Sequence, residues 1–162
     1  MNYYTGIGSR STPEDILKIM TKIATYFSRH NDLWTLRSGG AKGADKAFED
    51  GADLKDIYYA KDAQGDKDAA RIAEEHHPAW NRCSPYAKML HTRNVYQILG
   101  KELDKPSKFV VCWTPDGCTS SIGRSIKTGG TGTAISIAHS FNVPVYNLKL
   151  KEHLNEFLLI IS

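Results

Sequence analysis

The chain is poor in the features that mark secreted, metal-stapled and membrane-embedded proteins. Its 162 residues include three cysteines, Cys83, Cys112 and Cys118. An odd number without CxxC spacing argues against a disulfide framework or a zinc site, and fits reduced thiols in a cytoplasmic setting. The longest apolar run, Phe157 to Ile161, is far below the ~20 residues a bilayer-spanning helix needs. No basic region followed by an apolar run opens the sequence, so neither secretion nor a membrane partner is expected. Charge is nearly balanced, with 21 Lys and Arg against 18 Asp and Glu and a net +3. The basic residues are scattered rather than gathered into a tail. There is no Pro- or Ser-rich linker, internal repeat or low-complexity tract. GxSxG and GxxxxGK[ST] are both absent, which sets aside serine-hydrolase and P-loop ATPase readings.

A hydrophobic content of 41% suffices for one well-buried core, so residues 1–162 are read as a single domain. Tyr3 to Ile7 reads as a strand. Thr12 can then cap a helix with Pro13 at its first position and Glu14 and Asp15 in its first turn. Ile16, Leu17, Ile19, Met20, Ile23, Ala24 and Phe27 recur at helical spacing and leave Lys18, Lys22 and Arg29 outside. Strand candidates follow at Leu33 to Leu36, Asp56 to Ala60, Phe109 to Trp113 and Val143 to Leu148. Helical stretches alternate with them: a short one through Phe48, one ending near His77, one around Arg93 and one over Ala134 to Phe141. This rhythm specifies an α/β protein, a Rossmann-like three-layer α/β/α arrangement on a mostly parallel open sheet.

Three glycine-bearing turns each follow an apolar segment and precede a helix: Gly6-Ile7-Gly8-Ser9-Arg10, Ser38-Gly39-Gly40-Ala41-Lys42-Gly43-Ala44-Asp45 and Gly129-Gly130-Thr131-Gly132-Thr133. Glycine admits close backbone approach, and the first N–H groups of a helix lack internal partners and attract anions. The turns fall at the carboxyl ends of the strands, where open α/β sheets bind ligands. Ser9 and Arg10 either bind phosphate or serve as a helix cap and a solvated charge. Gly39, Gly40 and Gly43 could form a backbone nest with Lys42 as a point charge, or simply make a tight turn. Asp45 could hold a ribose hydroxyl or accept backbone N–H bonds. Thr114 to Thr128 is long enough to be a flap over the cleft, or a passive insertion. Adjacent His76 and His77 point to different helix faces, and with His91 they complete no recognised ligand spacing, so neither a metal nor a cofactor is expected. Trp80 and Tyr86 flank Cys83 and could stack on a base or pack in the core or a lid. Nothing marks Cys83 as a nucleophile.

The ordered set GSR at Gly8 to Arg10, SGGAKGAD at Ser38 to Asp45 and GTGTA at Gly130 to Ala134, with Pro144-Val145-Tyr146-Asn147, resembles the SLOG superfamily. That superfamily includes DprA/Smf recombination mediators, YspA-like proteins and LOG phosphoribohydrolases. The resemblance implies binding of a nucleotide, a nucleotide derivative or, in the DprA branch, single-stranded DNA. It also implies pairing of copies through helices on the sheet. Met89 to Asn94 is similar to the MHxRK segment of LOG enzymes, which would make Arg93 an active-site arginine; without the resemblance Arg93 reads as a solvated or ion-paired helix residue. LOG enzymes place proline and a catalytic glutamate where this chain has Thr128 and Ser136.

The sequence therefore supports a nucleotide-like small-molecule ligand, with phosphate held by the Gly8 and Gly130 turns and charge from Arg10 and Arg93. One rival is cleavage of an N-glycosidic bond, with Asp45 or Asp116 replacing the missing glutamate. A second is single-stranded DNA binding through Lys42, Arg124 and Lys127. A sensor that binds a nucleotide signal without turnover is a third.

Overall fold

The computed structural model describes residues 1–30 and 33–162. Five strands, β1 (Asn2–Gly6), β2 (Trp34–Ser38), β3 (Lys55–Ile57), β4 (Val110–Cys112) and β5 (Val145–Asn147), form one parallel sheet in the order β3-β2-β1-β4-β5. The chain works outward from β1 to β3, then crosses back to place β4 on the other side of β1. This reversal at β1 and β4 opens a crevice between the loops that follow them.

Each face of the sheet is covered, because alternate residues of a strand point to opposite sides. In β4, Val111 packs with α1 (Glu14–Arg29), α2 (Ala44–Gly51) and α6 (Lys151–Ile161), whereas Val110 and Cys112 pack with α3 (Lys67–Glu75), α4 (Pro85–Leu99) and α5 (Thr131–Ser140). The result is the three-layer α/β/α architecture expected. The apolar stripe of α1 lies on the sheet as its spacing requires, with Met20, Ile23 and Ala24 fully buried. Tyr4, Phe27, Trp34 and Phe109 close one end of this layer in a cluster of rings whose centroids are 5.1–6.4 Å apart. Among the described residues no helix is long and apolar enough to cross a membrane.

Local details depart from the sequence reading in two places. Thr12 does not cap α1: its hydroxyl donates to the Ser9 carbonyl at 2.6 Å, and Pro13 occupies the cap position without a side-chain bond. Thr12 thus fastens the first glycine turn rather than the helix. The third strand ends at Ile57, because the Asp62 carboxylate accepts the Tyr59 N–H at 2.7 Å and draws Ala60–Ala63 into a 3-10 turn.

α4 is anchored at its C-terminal end by Arg37 of β2, which is 2% exposed. One guanidinium nitrogen donates to the Lys105 carbonyl at 2.5 Å, the Ile98 carbonyl at 3.4 Å and the Ser107 hydroxyl at 3.2 Å. The other face of the group lies 3.8 Å from the Tyr3 ring centre. A cation here complements the negative end of the helix dipole and satisfies carbonyls that have no helical partner.

Candidate functional site

A cavity of about 360 Å³ opens between β1 and β4 at the carboxyl end of the sheet. Its walls come from the first glycine turn (Gly8 to Arg10), from Ala41 and Asp45 of the second, from Lys127 to Thr131 of the third, and from His91, Arg93, Asn94 and Gln97 of α4. Residues distant in sequence meet here because the strand order places the ends of β1 and β4 side by side. A wider groove of about 420 Å³ between α1 and Ile161 has no glycine turn opening on it.

The three turns play different parts. In the first, Ser11 N–H and the Ser11 hydroxyl both bond the Ser9 hydroxyl, at 3.0 and 2.8 Å, so Ser9 shapes its own turn while Arg10 is exposed at the rim. In the second, Ser38, Gly39, Gly40, Lys42 and Gly43, expected to bind the ligand, do not line the cavity. The buried Ser38 hydroxyl donates to the Gly6 carbonyl at 2.6 Å and joins β2 to β1. Gly43, at φ 88°, brings its Cα within reach of the first turn: a Cβ there would fall 2.9 Å from the Ser9 carbonyl oxygen and the Arg10 Cα. Lys42 is exposed. In the third, Gly129, Gly130 and Thr131 line the cavity at the N-terminus of α5, which no side chain caps. Gly132 and Thr133 lie one step behind, where Arg124 packs on Gly132 and donates to the Thr133 hydroxyl at 3.1 Å.

Of the two roles the sequence left open for Asp45, the structure shows the acceptance of backbone N–H bonds. It lines the cavity, and its carboxylate accepts the Ala41 N–H at 3.3 Å, with the N–H groups of Gly8 and Gly39 also facing it. Burial pushes its carboxyl up to about 6, against the opposing pull of the Arg93 charge and these N–H groups. Burial likewise lowers the Arg93 pKa, and Asp45 counteracts that shift. Arg93 donates to the Asn94 side-chain oxygen at 3.0 Å, and Asn94 in turn donates to the Gly130 carbonyl at 3.2 Å. The Arg-Asn pair therefore ties α4 to the third turn.

Gln97 completes this wall and escaped the sequence reading. It is 1% exposed, its carboxamide nitrogen has no hydrogen-bond partner among the described residues, and it lies one helical turn after Arg93. The signal was the i, i+4 spacing on α4, which puts both side chains on one face.

The long connection after β4 is held by Asp116. Its carboxylate accepts the hydroxyls of Thr114 at 2.8 Å, Ser125 at 2.7 Å and Thr128 at 2.5 Å, and the Cys118 N–H at 3.2 Å. Burial alone would raise its pKa, but the hydroxyl donors Thr128, Ser125 and Thr114 outweigh that and hold it down to about 2. Asp116 thus organises the loop whose last residues, Lys127 and Thr128, form a cavity wall. Arg124 is committed inward, to the His76 carbonyl and Thr133. Only Lys42 and Lys127 of the three cations considered for DNA remain exposed. Trp80 packs against the core of the α3–α5 layer, while Tyr86 is exposed.

The cavity is cationic on balance, with Arg10, Arg93 and Lys127 against the single carboxylate of Asp45. Comparison of the chain with protein-family models, curated proteins and solved structures gives no match.

Proposed function

We propose that this protein binds a nucleotide or phosphorylated nucleoside derivative in the cavity between β1 and β4. The observation that carries the reading is the excess of cationic groups in a cavity onto which a helix N-terminus opens: Arg10, Arg93 and Lys127 line it together with Gly130 and Thr131, where no side chain of the described residues caps α5. A phosphate fits this chemistry, since it takes several N–H donors and a guanidinium fork together. Asp45 supplies an acceptor for a ribose hydroxyl. A volume of about 360 Å³ is of the size of small-ligand sites. The resemblance of the glycine turns to the SLOG superfamily supports the same ligand class.

The test is calorimetric titration of the chain with a panel of nucleoside monophosphates, cyclic nucleotides and a short single-stranded oligonucleotide. Binding of a mononucleotide, weakened at least tenfold in Arg93→Ala, is the expected result. Binding of the oligonucleotide alone would transfer the reading to nucleic acid.

A second reading, N-glycosidic cleavage, is favoured by Asp45 specifically. A cavity carboxyl raised to about 6 exchanges a proton near neutral pH, which suits a general acid or base, with Arg93 beside it to stabilise developing negative charge. Release of free base from a bound nucleotide, abolished in Asp45→Asn, distinguishes turnover from binding alone.

A further inference from the structure

His76 and His77 face different ways, and the fold gives each a different partner. His76 meets the Ser136 hydroxyl at 2.8 Å. His77 meets Cys83 and His91, although 14 residues of sequence separate the two histidines. Ligand atoms of His77, Cys83 and His91 all lie within 4.8 Å of one another, and all three residues are partly buried.

We propose that His77, Cys83 and His91 bind one transition-metal ion, with Zn²⁺ the best match. The donor set is two imidazoles and a thiol, which suits zinc and excludes magnesium and calcium as preferred guests. Zinc bonds of ~2.3 Å to sulfur and ~2.0 Å to nitrogen, at a tetrahedral angle, place S and N about 3.5 Å apart. Cys83 Sγ lies 3.6 Å from His77 Nε2. The two imidazole rings are 4.3 Å apart and inclined by 71°, so they do not stack face to face. His91 is oriented through its other nitrogen: Nδ1 lies 3.0 Å from the Thr133 hydroxyl, which leaves Nε2 for the ion and provides the outer support that metal-bound histidines use.

His77 sets the cost of loading. Its Nδ1 accepts the Ala79 N–H at 2.9 Å, so the neutral ring carries its proton on Nε2. Metal uptake at Nε2 moves that proton to Nδ1, opens the Ala79 contact and releases the thiol proton of Cys83 to solvent. Arg93 and Arg124 lie near His91 and oppose a cation, whereas the Cys83 thiolate offsets one charge. Three protein ligands leave a fourth position for water or a ligand group. His91 also lines the β1–β4 cavity, so the ion would stand at its edge. This inference does not rest on the nucleotide reading.

The test uses the full chain, stripped of metal with a chelator and then titrated with Zn²⁺, and with Co²⁺ as a spectroscopic probe. We expect one ion per chain and a thiolate-to-cobalt charge-transfer absorption. Cys83→Ser removes that absorption and weakens Zn²⁺ at least tenfold; His91→Gln weakens Zn²⁺ similarly, and His76→Gln leaves both readouts unchanged. In the unmodified chain Zn²⁺ slows alkylation of Cys83 severalfold, a readout that needs no variant to fold. Unprotected Cys83 at saturating Zn²⁺, or an unchanged cobalt spectrum in folded Cys83→Ser, overturns the proposal.

Discussion

The guanidinium of Arg93 occupies the space in which a Cβ on Gly39 would stand. The second glycine turn therefore contributes to the cavity by its lack of a side chain, which lets an arginine from α4 lie against the end of β2. Gln97 uses the same opening, its carboxamide nitrogen also reaching the space beside Gly39.

Gly39→Ala should displace Arg93 and Gln97 while leaving the sheet intact. We expect nucleotide affinity to fall about tenfold, equivalent to ~1.4 kcal/mol, with native circular dichroism retained. Unaltered affinity in calorimetry would show that the Arg93 position is not what the ligand reads.

Arg37→Met should destabilise the protein by about 2 kcal/mol, because the Lys105 carbonyl loses its charged donor, whereas the Ile98 carbonyl keeps the Ser107 N–H at 2.7 Å. Urea denaturation measures this directly. A change below ~1 kcal/mol would mean that water replaces the guanidinium and that α4 does not depend on it.

Asp45 predicts an unusual pH response. Its folded pKa, about 6, lies above the ordinary carboxyl value, so between roughly pH 4 and pH 6 the folded protein holds a proton that the unfolded chain has released. Stability is therefore withdrawn as pH rises through this window, by up to about 3 kcal/mol at ~1.4 kcal/mol per pKa unit. Asp45→Asn removes the effect. The variant should match the parent near pH 3.5 and exceed it at pH 7; a stability difference that is the same at both pH values contradicts the raised pKa.

Asp116 has the opposite sign. Held down to about 2, its contribution is complete above the ordinary carboxyl pKa and is lost as pH falls toward 2. Because the group is only partly buried, solvent screening limits the worth of this cluster to about 1 kcal/mol. Asp116→Ala should loosen the loop more than the fold. Limited proteolysis between residues 119 and 127 should accelerate severalfold with little change in melting temperature, and an unchanged cleavage rate would remove Asp116 as the organiser.

Much of the architecture was legible because its causes are local. The apolar stripe of α1, the continuous apolar run of β4 and glycine turns after strands each act within a few residues, and together they indicate a parallel α/β sheet. The Thr12 cap misled because a hydroxyl can serve either the helix N–H or a nearby carbonyl, and the first turn supplied the carbonyl. The role of Asp116 was hidden for a related reason, since its partner hydroxyls at Ser125 and Thr128 are brought back to it only when the loop folds on itself.

The sequence by itself determined the alternation of strands and helices, and therefore that the three glycine turns would fall at the carboxyl ends of the strands. Only the tertiary structure decided which of them shares a cavity with which. β1 pairs with β4 across more than 100 residues, Thr5 to Val110 and Gly6 to Val111, and that pairing sets the first turn beside the loop after β4. The same long-range packing turned Arg93 and Gln97 of α4 toward Gly39 and brought His77, Cys83 and His91 together. Such contacts depend on burying apolar surface between distant segments, a free-energy balance that no short stretch of sequence contains.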